Sequence, residues 1–254
     1  MASSRTRLDV LLVERALVPS RERARAVILA GLVRVDGQVV SKAGAPIAAT
    51  SAVELATPDH PYVGRGGLKL AHALDTFGIA VTGKRGLDIG ASTGGFTDVM
   101  LQRGARDVIA LDVGHNQLDW KLRSDPRVLV REGVNARALS STDVPHLVDI
   151  VTIDVSFISL AHILPQVPQV LAPQGDVVAL VKPQFEAGRE LVGKGGIVSD
   201  PAVHAAVLER VERIANDSGF TQCAMTPSPI AGATGNKEFL IHLRLRGSAA
   251  DSQT

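Results

Sequence analysis

Leu87-Asp88-Ile89-Gly90-Ala91-Ser92-Thr93-Gly94-Gly95-Phe96-Thr97 decides how this chain is read. Apolar residues run into a turn of small residues, and a helical pattern follows. That is how a Rossmann-like sheet makes its first strand, ligand loop and helix. Gly90, Gly94 and Gly95 let backbone approach a ligand and point N–H groups at it. The stretch is not a full dinucleotide fingerprint, because Ser92 stands where glycine is preferred. Asp88, two residues before the first glycine, suits a ligand with a cationic, amino-acid-like end, such as S-adenosylmethionine. An ordinary strand–turn–helix with a glycine cap would also read this way.

Outward from this stretch, the α/β alternation continues. Strands are expected at Gly86–Ile89, Asp107–Leu111, Arg127–Val130, Val148–Ile153 and Asp176–Val181. Helices are expected at Gly95–Arg103 and Pro201–Ser218, the latter capped by Asp200. Leu160–Leu171 reads as a helix that Pro165 and Pro168 shorten or kink. Phe220–Met225 and Glu238–Arg246 have no helix between them, so they are expected to pair antiparallel at one side of the sheet.

Two acids and a lysine sit where strands end. Asp112 follows the second strand, where an acid accepts hydrogen bonds from ribose hydroxyls in NAD and methyl-donor sites alike. Asp154 and Lys182 each end a run of aliphatic residues, at the mouth of a parallel sheet. They are either a structural ion pair or a catalytic one. Moving a methyl group to a ribose 2′-hydroxyl needs two reactants positioned in line and a cation or base at the hydroxyl oxygen. A lysine can be either. As a base it must be partly neutral, which desolvation or a second cation favours. Lys69 is a candidate for that second cation, and Glu238, opening the last strand, for its partner.

Before this unit lies a small basic module. A helical pattern runs from Thr6 (Leu8, Leu11, Leu12), broken at Pro19-Ser20. A second helix follows from Ser20 to Gly31, with Ala24, Val27 and Ile28 inward and Arg21, Arg23 and Arg25 on its solvated side. Asp36-Gly37 between alternating runs is a hairpin signal, and Val53-Glu54-Leu55 is a further strand. Up to Thr57 there are eight basic against five acidic residues, whereas the whole chain is at +1. Any nucleic-acid surface is therefore local. Two short helices with such a hairpin resemble the S4-like RNA-binding domain, which presents basic residues to structured RNA.

The order Lys69, Asp154, Lys182, Glu238 matches the Lys-Asp-Lys-Glu tetrad of FtsJ-type (RrmJ-like) 2′-O-ribose methyltransferases. The flanking text resembles the TlyA family more closely. It does so at Arg7-Leu8-Asp9, Ser20-Arg21, Arg65-Gly66-Gly67-Leu68-Lys69-Leu70 and the opening stretch. Further matches are Asn135-Ala136-Arg137, Ile153–Leu160, Val181–Glu186 and Gly235-Asn236-Lys237-Glu238. Members of that family are often labelled hemolysin.

The resemblance implies an α/β protein with an S4-like RNA-binding domain (1–57), an interdomain linker (58–68), a methyltransferase domain (69–246) and a disordered tail (247–254). The methyltransferase domain is expected as a Rossmann-like, mixed seven-stranded sheet with the last strand antiparallel. The implied reaction is S-adenosylmethionine-dependent 2′-O-methylation of cytidine in ribosomal RNA. Lys69, Asp154, Lys182 and Glu238 would be catalytic. Asp88, Gly90, Ala91, Ser92, Thr93, Gly94, Gly95, Phe96, Asp112, Asn135 and Asp154 would hold the cofactor. Arg7, Arg21, Arg23, Arg25 and Arg65 would face RNA.

The chain departs from the family in three places. His115 stands where relatives carry tyrosine, and Gly64 where they carry serine. It also ends soon after the last strand, which leans the expectation towards large-subunit RNA. A single cysteine, Cys223, leaves no cysteine cluster for a metal and suits a cytoplasmic location. No apolar run reaches the roughly 18 residues of a spanning helix, which speaks against a membrane-active hemolysin. A non-catalytic RNA-binding assembly factor and a Rossmann oxidoreductase are the remaining alternatives.

Overall fold

The computed structural model describes residues 5–18, 20–55, 60–140 and 142–247. The expectations of a break at Pro19, of linker residues 58 and 59, and of a tail beyond 247 lie outside these residues, wholly or in part.

Seven strands form the central sheet: β6 (Arg85–Ile89), β7 (Asp107–Asp112), β8 (Val128–Glu132), β9 (Val148–Ile153), β10 (Leu171–Val181), β11 (Phe220–Pro227) and β12 (Phe239–Leu245). Their order is β11-β12-β10-β9-β6-β7-β8. All neighbours from β10 to β8 are parallel, and β12 runs antiparallel to both β10 and β11. The sheet is therefore the mixed one expected. Successive residues of a strand point to opposite faces, so one sheet feeds two cores. Leu87, Ile89, Val151, Ile153, Val177 and Ala179 pack on the face covered by α6 (Pro201–Asp217). Val108, Ala110, Ile150, Val178, Leu180 and Leu240 pack on the face covered by α3 (Gly66–Phe77) and α4 (Gly95–Gln102).

The N-terminal lobe has its own aliphatic core of Leu8, Leu11, Leu12, Ala24, Val27, Ile28, Val33 and Ile47. It contains α1 (Leu8–Glu14), α2 (Arg21–Leu29), β2 (Val33–Val35), β3 (Gln38–Val39) and β5 (Val53–Leu55). The Ser20 side chain caps α2 by accepting from Arg23 N. Asp36 and Gly37 both take positive φ, 49° and 80°, at the turn of the hairpin, as the Asp-Gly signal predicts.

Four details differ from the reading of the sequence. Arg5–Arg7 forms a strand, β1, paired with β4 (Pro46–Ala48), so the first helix starts at Leu8 rather than Thr6. Neither short strand alternates enough to be visible by itself. Leu160–Leu171 is not a helix: it makes two single 3-10 turns, Leu160–His162 and Leu164–Gln166, and then enters β10. Pro165 and Pro168 lack the N–H that a continuing helix needs. The helix carrying Lys69 begins at Gly66, inside the stretch expected as linker. A short helix, α5 (Trp120–Arg123), capped by Asp119, follows the Asp112 turn.

Candidate active site

Gly90, Asp154 and Lys182 immediately follow β6, β9 and β10, and Asp112 is the last residue of β7. Parallel strands put all four at one edge of the sheet. β12 runs the other way, and its register pairs Phe239 with Val181. Glu238 thus arrives at the same edge from the opposite direction. Lys69 comes from the first turn of α3, which lies against β12 and α4.

The loop after β6 needs its glycines. Gly90 has φ 87°, and a Cβ there would collide with the Asp154 carbonyl. Gly94 has φ 94°, and a Cβ would run into Leu122. Ser92 takes the left-handed backbone (φ 49°) without being glycine. Its N–H donates to Asp112 Oδ2 at 2.8 Å, while Gly114 N donates to Oδ1 at 2.7 Å. These two amides aim the Asp112 carboxylate and leave it lone pairs to spare.

Two cavities open here. The first, about 550 Å³, lies between Gly90, Ser92, Asp112, Asn135, Asp154 and Phe157. Leu111, Val113, Val134 and Ile163 give it apolar walls. Asn135 Oδ1 accepts from Arg137 N and caps the turn Ala136–Ala138 on that wall. Glycine without a Cβ, a buttressed acid at the end of β7 and an apolar slot fit the nucleoside half of S-adenosylmethionine. The second cavity, about 320 Å³, is lined by Lys69, Glu238, Asp154, Lys182, Arg65 and Phe185. Ala91, Thr93, Gly95 and Phe96 also reach it, as do Leu29, Gly31 and Ser41 of the N-terminal lobe. Asp154 stands on the wall that the two cavities share.

Two ion pairs occupy that second cavity. Lys69 Nζ donates to Glu238 Oε2 at 2.6 Å, with both residues buried. Lys182 Nζ lies 2.6 Å from Asp154 Oδ1 and donates to Ser156 Oγ at 3.0 Å. Asp154 Oδ1 is buried yet has no well-aligned hydrogen bond, so its tie to Lys182 is chiefly coulombic. Burial pushes the Asp154 carboxyl up, but Lys182 and then Lys69 outweigh it and hold it below the usual carboxylate range. It stays ionised between two cations.

Asp88 requires a correction. It reaches neither cavity and is fully buried. Its Oδ2 accepts from Thr97 N (2.9 Å) and Thr97 Oγ1 (2.7 Å), and its Oδ1 from Thr152 Oγ1 (3.1 Å). Burial pushes its pKa up to about 7, against those hydrogen bonds. Asp88 therefore fastens the first turn of α4 to β6 and β9; it holds the loop rather than a ligand. Gly94 likewise packs inward, against Leu122 and Leu118.

The five arginines expected to face RNA separate into three settings. Arg7, Arg21 and Arg25 surround Asp9. Arg23 reaches across to Asp119 at 2.9 Å. Arg65 lies over Gly31 beside the second cavity.

Phe157 escaped the reading of the sequence. It is 87% exposed with φ 63°, and its ring centroid is 5.0 Å from that of Phe185. Its signal was there: in a chain with 3% aromatics, a phenylalanine three residues past a strand-end acid stands out. Buried Glu186 holds this loop, accepting from Ser159 Oγ at 2.6 Å and Leu160 N at 2.8 Å.

The sequence profile of the FtsJ-like methyltransferase family matches residues 62–245, and that of the S4 domain matches residues 6–51. The chain is 45% identical over 247 residues to "16S/23S rRNA (cytidine-2'-O)-methyltransferase TlyA" of Mycobacterium tuberculosis, covering 97% of this chain and 92% of that one. It is 43% identical over 240 residues to "Hemolysin A" of Brachyspira hyodysenteriae, covering 93% and 98%. A solved structure of a chain from Streptococcus thermophilus superposes with a TM-score of 0.74 at 46% identity, covering 99% of this chain and 94% of that one. With an S4 domain ahead of an FtsJ-like domain and a likeness to TlyA over nearly its whole length, this chain belongs to the TlyA family of FtsJ-like methyltransferases.

Proposed function

We propose that this protein transfers a methyl group from S-adenosylmethionine to the 2′-hydroxyl of a cytidine in ribosomal RNA. The supporting observation is Asp154, on the wall between an apolar cavity that fits a nucleoside and a second cavity that holds one buried and one half-buried lysine–carboxylate pair. When bound, S-adenosylmethionine supplies a methyl group on a sulfonium, open to in-line displacement.

The residues of the chain do the rest. Asp112 accepts the hydroxyls of the cofactor ribose, and Gly90 leaves room for close approach. In the second cavity, ionised Asp154 holds the Lys182 head, 2.6 Å away, on the wall shared by the two cavities. Lys182 Nζ has three donors, of which Asp154 and Ser156 engage two. The third meets the 2′ oxygen. As an amine Lys182 takes the hydroxyl proton; as an ammonium it meets the developing negative charge. In both cases Nζ is the group at that atom. Lys69, held by Glu238, adds positive potential beside Asp154. Most of the acceleration comes from holding two reactants in line.

Phe157 and Phe185 offer an exposed aromatic face beside this cavity, on which a cytosine taken out of its stack can lie. Such stacking is worth about 1–3 kcal/mol per base. The N-terminal lobe, contributing Leu29, Gly31 and Ser41 to the cavity wall, brings the RNA up to it. A ribosomal RNA substrate supports a cytoplasmic site of action.

The test is transfer of tritiated methyl to separated 30S and 50S subunits, followed by mapping of the modified nucleotide. Label on a cytidine 2′ oxygen supports the reading, and its location assigns the subunit. Absence of label in both subunits refutes it. Among the described residues, no helix is long and apolar enough to cross a membrane. Lysis of membranes by purified protein, persisting in Lys182→Ala, would instead favour the hemolysin reading.

A further inference from the structure

Asp9 is an unusual carboxylate. It sits in the first turn of α1, is fully buried, and serves three cations at once. Arg7 grips it with two bonds, Nε to Oδ1 at 2.9 Å and Nη2 to Oδ2 at 3.0 Å. Arg21 Nη2 donates to Oδ2 at 3.1 Å, and Arg25 Nε lies 3.5 Å from the same oxygen. The Arg7 and Arg21 guanidiniums hold the Asp9 carboxyl well below the usual carboxylate range, against its burial. It is ionised whenever the protein is folded at neutral pH.

The charge does not balance. One carboxylate faces three guanidiniums, and the exposed Glu22 beside Arg21 and Arg25 offsets only part of the excess, so the group stays positive. The acid is buried, while the arginine side chains are 53%, 49% and 52% exposed. The negative charge is thus hidden beneath, and the unused N–H donors face outward. A guanidinium has five such donors in a planar fork that matches a phosphate. Gly44 keeps space for one of these heads, since a Cβ there would lie 3.0 Å from Arg7 Nη1.

Helix geometry separates this group from its neighbour. Arg21 and Arg25 are four residues apart on α2, so they share a face. Arg23 lies between them, points away and pairs with Asp119 of the other lobe. The three arginines of α2 therefore do two different jobs.

We propose that Asp9 is a positioning residue that gathers Arg7, Arg21 and Arg25 into one claw for RNA backbone phosphates. The proposal rests on the reading of the protein as an RNA-modifying enzyme. Arginine side chains held in advance lose less conformational freedom when RNA arrives. Asp9 touches no RNA itself.

The two explanations of these arginines differ in sign. If they contribute only charge, Asp9→Asn adds one positive charge and tightens RNA binding. If Asp9 positions them, Asp9→Asn weakens binding although the protein has become more basic. The experiment measures affinity of the full-length chain for purified 30S and 50S subunits across a potassium chloride series. Unfolding temperature and S-adenosylmethionine binding are followed in parallel. The expected result is about tenfold weaker binding for Asp9→Asn. The salt slope should be shallower by about 0.7–0.9 for each phosphate that is no longer neutralised. Asp9→Glu should restore most of the affinity.

Equal or tighter binding by a folded Asp9→Asn protein overturns the proposal. If that variant does not fold, Arg21→Lys decides, because it keeps the charge and removes the fork. Weaker binding supports the claw, and wild-type affinity and slope overturn it. Methyl transfer by the wild type is scored separately. Label in a subunit with no loss of binding in the variants sinks the claw alone, whereas no label in either subunit sinks the proposed reaction.

Discussion

At the mouth of the sheet, Lys69, Glu238, Lys182 and Asp154 sum to no net charge, whereas Asp9 with Arg7, Arg21 and Arg25 keeps a positive excess on the N-terminal lobe. The first group is nearly buried; in the second only the acid is. The contrast follows from what each group has to meet. A buried site cannot carry uncompensated charge, because desolvation of an unpaired ion costs several kcal/mol. A surface that meets a polyanion keeps its excess, because affinity comes from displacing counterions. Paired lysines serve chemistry at one atom, and clustered arginines serve a chain of phosphates.

Breaking the neutral group should give the largest effects. Lys182→Ala should lower single-turnover methyl transfer by about a thousandfold, within the range expected when an acid–base group is removed. Calorimetry should find S-adenosylmethionine affinity within about threefold, since Asp112 and the Gly90 turn are untouched. Normal turnover would remove Lys182 from the mechanism. Glu238→Gln comes next. It leaves Lys69 buried beside a neutral amide, so transfer should fall about tenfold to a hundredfold. Unfolding in urea should show a loss of about 3 kcal/mol, as for a buried pair missing one member. Unchanged stability would mean that Lys69 finds water or another acid.

The charged lobe should respond more mildly and in two classes. Arg21→Ala and Arg25→Ala should each weaken subunit binding several-fold and flatten its dependence on salt. Arg23→Ala should do neither to the same extent. Its half-exposed pair with Asp119 is worth less than about 1 kcal/mol, and it points away from the claw. Identical slopes for all three would erase the distinction that the fold draws among them.

The smallest signal comes from Asp88. Its folded pKa, near 7, lies above that of an unfolded aspartate. Folding therefore takes up a proton between about pH 4 and pH 7. The stabilisation this brings is complete at low pH and is lost as pH rises through 7. Asp88→Asn should shrink the difference in urea midpoint between pH 5 and pH 7. An unchanged difference would show that Asp88 is ionised throughout, satisfied by Thr97 and Thr152.

By itself the sequence determined the elements whose signals are local. Aliphatic runs marked six strands of the sheet to within about two residues, and β10 only from Asp176 although it starts at Leu171, since burial on both faces is written in the residues themselves. Ser20 and Asp200 marked their cap positions because each bonds within a few residues of itself, and Asp36-Gly37 marked its turn because both residues take positive φ. The same locality exposed Asp112, Asp154 and Lys182 as charges at strand ends.

Where a partner lies far along the chain, only the tertiary structure could decide. Lys69 meets Glu238 across 169 residues because β12 enters antiparallel beside β10. Nothing in the text around Lys69 says so. Asp88 and Asp112 are both acids on the first two strands, and by register they share one face of the sheet. Asp88 lies further in, against Thr97 and Thr152, whereas Asp112 ends its strand at the rim. Arg21, Arg23 and Arg25 look like one basic stripe until a helical turn sends the middle one to the other lobe. The physical reason is the same throughout: side-chain type and spacing set what a residue can do locally, but burial and long-range contact set which charge it faces.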